Sequence, residues 1–286
     1  MIWLLLFLNL LLFQFEGFFA IIKVETEIGS FGGDRGQIDD EDHDYFADEM
    51  TIYDPNTEMM LDDMIITHQE FKRFFIEEDE IETKRNAITD ENSYWPDKTV
   101  RYFMDREFYD VDKKIIREGI KMITDVSCIK FNELSKPPND SGPYIHINSG
   151  NGCYSKVGAD CKKCIMSLSI TGCLRPGTVA HEFLHSLGFY HMQCSKGRDN
   201  FVDIIWSNMK NNAEKNFFEL GTVSSLLNTT YDYDSILHYG PRFFSVNGAP
   251  TIIPKDGRYL SRIGQREFLS QGDIDRLNIR YKCYEN

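Results

Sequence analysis

"HEFLHSLGFYHMQC" occupies residues 181–194 and holds three of the seven histidines of the chain. His181 and His185 stand four apart. On one helix that spacing puts both imidazoles on the same face, able to hold a single ion. Glu182 lies next to His181 and points off that face, near an ion without having to bind it. Gly188 supplies a helix stop and tolerates positive φ, so the chain can turn back there. His191 then arrives from another direction as a third ligand. Three neutral imidazoles leave one coordination position open to water, the composition of a catalytic zinc site. Zinc lowers the pKa of such a water, and Glu182 can take its proton and later deliver it to a leaving amine. HExxH alone is a weak signal, whereas HExxHxxGxxH fixes five positions in eleven.

Charge divides the 286 residues unevenly. Residues 1–85 carry 21 acids and 6 bases, and residues 86–286 carry 24 acids and 25 bases. The excess negative charge therefore sits in the first third. A nucleic-acid binder would show the opposite, a concentrated basic patch, so no nucleic-acid partner is expected. "MIWLLLFLNLLLFQFEGFFA" opens the chain. Its apolar run, Ile2 to Phe13, is short for a bilayer span and fits the core of a secretory signal peptide over 1–20, with cleavage after Gly17 or Ala20 and no membrane anchor. The competing reading is a signal anchor. Residues 34–82 are acid-rich and poor in packing residues, so this stretch should be weakly ordered alone. It ends at Lys84-Arg85, a dibasic pair suited to a trypsin-like or furin-like activating protease. We therefore expect a pro-segment over 21–85 and one catalytic domain over 86–286.

Beyond residue 86 the pattern is globular, with 42% apolar residues in the whole chain providing for a core. "TVRYFMD" and "PYIHINS" alternate like strands, "KKIIREGIKMITDVS" and "GTVAHEFLHSLG" have helical spacing, and "QGDIDRLNIRYKC" reads as a C-terminal helix. The fold class expected is α+β. All seven cysteines, Cys128, Cys153, Cys161, Cys164, Cys173, Cys194 and Cys283, lie after residue 127. Behind a signal peptide they read as disulfides, with one thiol left over. "CKKC" at 161–164 has no second CxxC, which speaks against a zinc knuckle. Asn139 and Asn228 head glycosylation sequons. The expected location is extracellular.

HExxHxxGxxH is the metzincin signature, and its surroundings resemble the astacin family. The similarity covers nearly all of 86–286 and includes "YWP" at 94–96, "CIKF" at 128–131, "GCYSKVG" at 152–158, "RDNFV" at 198–202, "YDYDSILHYG" at 231–240 and "IGQREFLSQGDIDRLN" at 263–278. The resemblance implies a two-lobed, zincin-like endopeptidase, acting on proteins or peptides and most simply a monomer. It implies an upper lobe with a twisted sheet and the zinc-binding helix, and a largely irregular lower lobe. One zinc would sit on His181, His185 and His191. Tyr239 matches the family tyrosine that swings from the metal to hydrogen-bond the oxyanion. Two disulfides map to Cys128–Cys283 and Cys153–Cys173, leaving Cys161, Cys164 and Cys194, of which Cys161 and Cys164 can pair and Cys194 can join either or stay free. The family is made as zymogens whose pro-segment aspartate blocks the zinc. "MLDDM" at 60–64 aligns best with that motif and points to Asp63. "FGGD" at 31–34 is the competing match.

Three departures stand out. Met192 follows the third histidine where the family has a glutamate that receives the new N-terminus. Ser195 and Gly197 replace a usual arginine and acid. Leu237 stands for the methionine of the turn below the metal, a swap of similar volume. Ligands, Glu182 and Tyr239 are all retained, which favours an active enzyme. The alternative is a catalytically impaired relative that binds zinc and a protein ligand without turnover.

Overall fold

The computed structural model describes residues 58–67, 70–71, 93–220 and 229–284, all within a unit spanning residues 44–286. The signal peptide, Asp34, Lys84-Arg85 and Asn228 lie outside the described residues. Seven strands build one mixed sheet: β1 (Glu58–Leu61), β2 (Met64–Thr67), β3 (Thr99–Met104), β4 (Lys130–Glu133), β5 (Tyr144–Asn148), β6 (Cys153–Lys156) and β7 (Lys163–Leu168). Their order across the sheet is β1-β2-β6-β7-β5-β3-β4. The alternation read in "TVRYFM" is realised in β3, where Val100, Tyr102 and Met104 are buried and the residues between them are partly exposed. β5 pairs in parallel with both β3 and β7, while β6 runs antiparallel to β7.

Two helices pack on this sheet, α1 (Asp110–Thr124) and α2 (Pro176–Ser186). α1 starts three residues before the apolar periodicity does, because Asp112 accepts the amide of Tyr109 at 2.8 Å and secures the first turn. Its buried face carries Ile116, Ile120 and Ile123, each contributing about 1.5–3 kcal/mol through burial. Gly119 lets the two helices approach: a Cβ there would stand 2.6 Å from Val179. α2 begins on Pro176, whose missing N–H costs nothing in the first turn.

Below α2 regular structure thins out. The described residues of 192–270 hold short 3-10 turns and one small antiparallel ribbon, β8 (Val202–Ile204) with β9 (Ile252–Pro254). This lower region has its own apolar cluster of Met192, Val202, Met209, Phe217, Tyr231, Tyr239, Ile252 and Ile263. The final helix, α3 (Gln271–Arg280), is capped by Ser270, which accepts the Asp273 amide at 3.0 Å while Asp273 accepts the Ser270 amide at 3.0 Å. Its end returns to the upper region through the Cys128–Cys283 bridge. Cys153–Cys173 and Cys161–Cys164 are also bonded, and Cys194 is a buried free thiol. The α+β, two-region layout agrees with the sequence reading. The hairpin β1–β2 lies in the acid-rich stretch expected to be weakly ordered alone, and it is ordered here by docking on β6 and by a small cluster of Leu61, Met64 and Ile66 with Val157, Tyr190 and Cys194.

Candidate metal centre and catalytic cleft

His181 and His185 sit one turn apart on α2, and all nine residues from Val179 to Leu187 are buried. α2 ends where Gly188 adopts φ +91°, and any side chain there would also collide with Arg280. That turn brings His191 back beneath the helix. The ring centroids of His181, His185 and His191 lie 4.7–5.5 Å apart.

A fourth group enters from the β1–β2 hairpin. Asp63 is buried, and its carboxylate oxygens stand 3.0 Å from His181 Nε2, 3.5 Å from His185 Nε2 and 3.0 Å from His191 Nε2. The four donor atoms all lie within 4.8 Å of one another. The donor chemistry fits a zinc ion. His181 Nδ1 is 2.7 Å from the Ile236 carbonyl and His185 Nδ1 is 2.7 Å from the Phe189 carbonyl. A carbonyl only accepts, so each Nδ1 carries a proton, and Nε2 is the atom that in the neutral ring presents a lone pair. The two Nε2 atoms face each other at 3.1 Å, beside a carboxylate, and His191 Nε2 and Asp63 Oδ1 are buried without a hydrogen-bond partner. A cation between them satisfies all four, and the Nδ1–carbonyl bonds are the outer contacts that orient metal-binding imidazoles.

Burial pushes His181 down to about 3 and His191 down to about 4, so both are neutral, the form that binds metal. Burial alone would raise Asp63, but the facing His191 and His185 outweigh it and hold its carboxyl well below the usual range. Glu182 moves the other way, raised by burial and then by the charge of Asp63. Its Oε2 is buried and has no hydrogen-bond partner. It is an acid–base group beside the cluster that has not been spent on a structural contact.

Tyr239 is fully buried, its ring 4.5 Å from that of His191. Its hydroxyl donates to the carboxylate of Asp62. Adjacent carboxylates of one hairpin thus meet two different parts of the site, Asp63 the histidines and Asp62 the tyrosine. Asp62 takes φ +57° to do so. The doubled acid in "MLDDM" is the only sequence signal for Asp62, and its partner cannot be read from it.

Leu237 is buried in the main core, and its carbonyl accepts the Met192 amide at 3.0 Å. Met192 is itself buried against Val202, Phe217 and Tyr239, and the Ser195 hydroxyl donates to its sulfur at 3.5 Å. Gln193, unremarked in the sequence, accepts the Tyr239 amide at 3.2 Å. Asp273 accepts from Ser235 Oγ at 2.6 Å and from the Ile236 amide at 2.8 Å, and thereby fixes the carbonyl that orients His181. Arg276 completes that group at 2.6 Å from Asp273. Burial raises the Cys194 thiol to about 12, which leaves it inert. Asn139 is exposed in the loop after β4.

Similarity to known proteins agrees with this geometry. Residues 87–282 match the peptidase family model described as astacin. The chain is 34% identical over 211 residues to zinc metalloproteinase nas-4 of Caenorhabditis elegans, a match covering 73% of this chain and 65% of that one. It is 36% identical over 208 residues to seminal metalloprotease 1 of Drosophila melanogaster, covering 70% and 82% respectively. The match to nas-13 of C. elegans spans only 43% of that protein, and across the first worm relatives the chain covers between 34% and 65% of their length. Among solved structures, the hatching-enzyme zinc protease HCE-1 of the medaka fish, Oryzias latipes, aligns with a TM-score of 0.61 at 31% identity, covering 67% of this chain and 95% of that one. A histidine triad with a free carboxylate beside it, and a family model spanning the whole region that builds it, lead to one conclusion: the chain belongs to the astacin family of peptidases.

Proposed function

We propose that the protein is a secreted zinc endopeptidase made in latent form, with 86–286 as its catalytic domain. The observation that carries the reading is the convergence of three imidazoles on one point, with the unsatisfied Glu182 oxygen beside it. His181, His185 and His191 hold the metal. Bound zinc supplies a Lewis acid that makes water a nucleophile near neutral pH. Glu182 accepts the proton of the attacking water and returns it to the leaving amine, a role suited to a carboxyl whose pKa is raised. Tyr239 donates to the oxygen that becomes negative as the scissile carbonyl turns tetrahedral.

In the latent form Asp63 fills the fourth position of the cluster, and Asp62 engages the Tyr239 hydroxyl. Removal of the 21–85 segment, by cleavage after Lys84-Arg85, frees both at once. The buried, apolar environment of Met192 supports activation by departure of the hairpin, because a methionine offers no charge to receive a new N-terminus. Asp63→Ala should then raise peptidase activity in the uncleaved chain, whereas Asp34→Ala should leave it latent.

The test of the enzymatic reading is cleavage of casein or gelatin by the trypsin-processed, zinc-loaded chain, compared with Glu182→Ala. Turnover confined to the wild type supports it. Equal, negligible turnover in a wild type that still retains zinc would replace it with the non-cleaving binding protein.

A further inference from the structure

Lys156 ends β6, and nothing in the reaction above uses it. It is 2% exposed, unusual for a lysine, which buries fully only when paired. Its Nζ lies 3.2 Å from Asp160 Oδ1 and 3.3 Å from Glu70 Oε2. Asp160 belongs to the catalytic domain, while Glu70 belongs to the segment that leaves. Burial alone would lower the Lys156 amine, but the two carboxylates outweigh it and keep it protonated. Glu70 is held in position locally. It accepts the Thr67 amide at 2.7 Å and the Thr67 hydroxyl at 2.9 Å, while its own amide donates to Thr67 Oγ1 at 3.1 Å. It also borders a small pocket walled by Val157, Gly158, Tyr190 and Arg280.

The neighbouring backbone gives this spot its reach. β2 lies on β6 through Ser155 N to Asp63 O at 2.8 Å and Val157 N to Ile65 O at 3.0 Å. When 58–71 departs, β6 becomes a sheet edge with those amides free to pair with another extended chain. A polypeptide on that edge passes Lys156, whose amine then keeps Asp160 alone and has a donor to spare.

We infer that Lys156 is a carboxylate-recognition point of the cleft, filled by Glu70 while the hairpin is docked and by an acidic side chain of the bound polypeptide once it has left. The second half rests on the peptidase reading, and the first half does not.

Two measurements test it. In the intact chain, hydrogen exchange of the 64–67 amides is compared in wild type, Glu70→Gln, Lys156→Met and the double variant. Each single change should speed exchange about tenfold, the effect of losing one charged hydrogen bond, and the double should add little. Unchanged exchange in both singles overturns the anchor. In the processed chain, peptides carrying Glu or Gln at each of six positions around the scissile bond are compared. One position should favour Glu about tenfold through KM, and Lys156→Met should bring that ratio to about one. A ratio that Lys156→Met leaves intact at every position, or no Glu preference at any, overturns the substrate half. If no peptide is cleaved at all, the peptidase reading fails, while the exchange result still decides whether Lys156 recognises Glu70.

Discussion

The upper and lower regions are built on different principles. Residues 99–186 are shaped by repeating backbone hydrogen bonds: five strands, two helices and a core of Val100, Ile116, Ile145, Met166 and Phe183. The described residues of 192–270 have almost no ladder and are held by individual side chains. Arg198 donates to the Gln193 carbonyl at 2.8 Å, Tyr233 to the Phe201 carbonyl at 2.7 Å, and Thr251 to the Phe243 carbonyl at 2.7 Å. The site lies between them and takes one part from each. His181, Glu182 and His185 come from the helix, His191 and Tyr239 from the irregular chain. A ladder distributes its stability over many equivalent bonds, whereas a region tied by single side chains concentrates it in a few. Mutations should therefore separate the two regions.

The largest effect is expected on the helix side and should be purely chemical. Glu182→Gln is nearly isosteric, so processed enzyme should lose activity by about 10²- to 10⁴-fold, the usual worth of a general acid–base group. Zinc content and melting temperature should be unchanged. Loss of zinc in that variant would mean Glu182 supports the metal rather than the proton transfer.

Next are the bridges. Cys128–Cys283 closes a separation of 155 residues and ties α3 to the upper region, while Cys153–Cys173 closes 20 within it. On chain entropy, double substitution by alanine should cost about 5 kcal/mol at the first and about 3 kcal/mol at the second. Chemical denaturation of the two variants would decide this, and a larger loss at Cys153–Cys173 would show that local strain and packing, not loop length, dominate.

Asp273 tests the side-chain-tied region. Asp273→Asn leaves the buried Arg276 guanidinium without its closest carboxylate and should destabilise by about 3–5 kcal/mol. Because Asp273 fixes the Ile236 amide, it should also loosen His181 and lower zinc affinity in a chelator competition. Unaltered zinc affinity would confine Asp273 to a structural role. The smallest change is Leu237→Met, which alters shape but hardly volume and should cost under about 1.5 kcal/mol, with zinc content intact. A large loss would make the packing around Leu237 a tighter constraint than its apolar character suggests.

Legibility follows the same division. The strands at 99–104 and 144–148 and the helices α1, α2 and α3 can be read from periodicity, because a ladder imposes a repeat on the residues that face the core. β4, β6, β8 and β9 are three or four residues long and show too few alternations to register, while β7 is six residues long but buried at Cys164, Met166, Ser167 and Leu168 without regular alternation. The hairpin β1–β2 is hidden for another reason: its residues look disordered by composition, and only docking on β6 supplies their partners. Asp63 is found by alignment to a motif. Asp62, Gln193, Asp273 and Arg276 are not, since each acts on a residue 37 or more positions away.

The sequence by itself determined the class of fold and picked out the residues proposed as metal ligands and acid–base group, because one turn of helix converts a spacing of four into a shared face and glycine permits the turn that follows. What only the tertiary structure decided was how that chemistry is held and hidden. The pairing of Asp62 with Tyr239, of Glu70 with Lys156, and of Asp273 with the Ile236 amide joins residues between 37 and 177 positions apart. No local periodicity records such contacts, since they arise only when separate elements pack into one core.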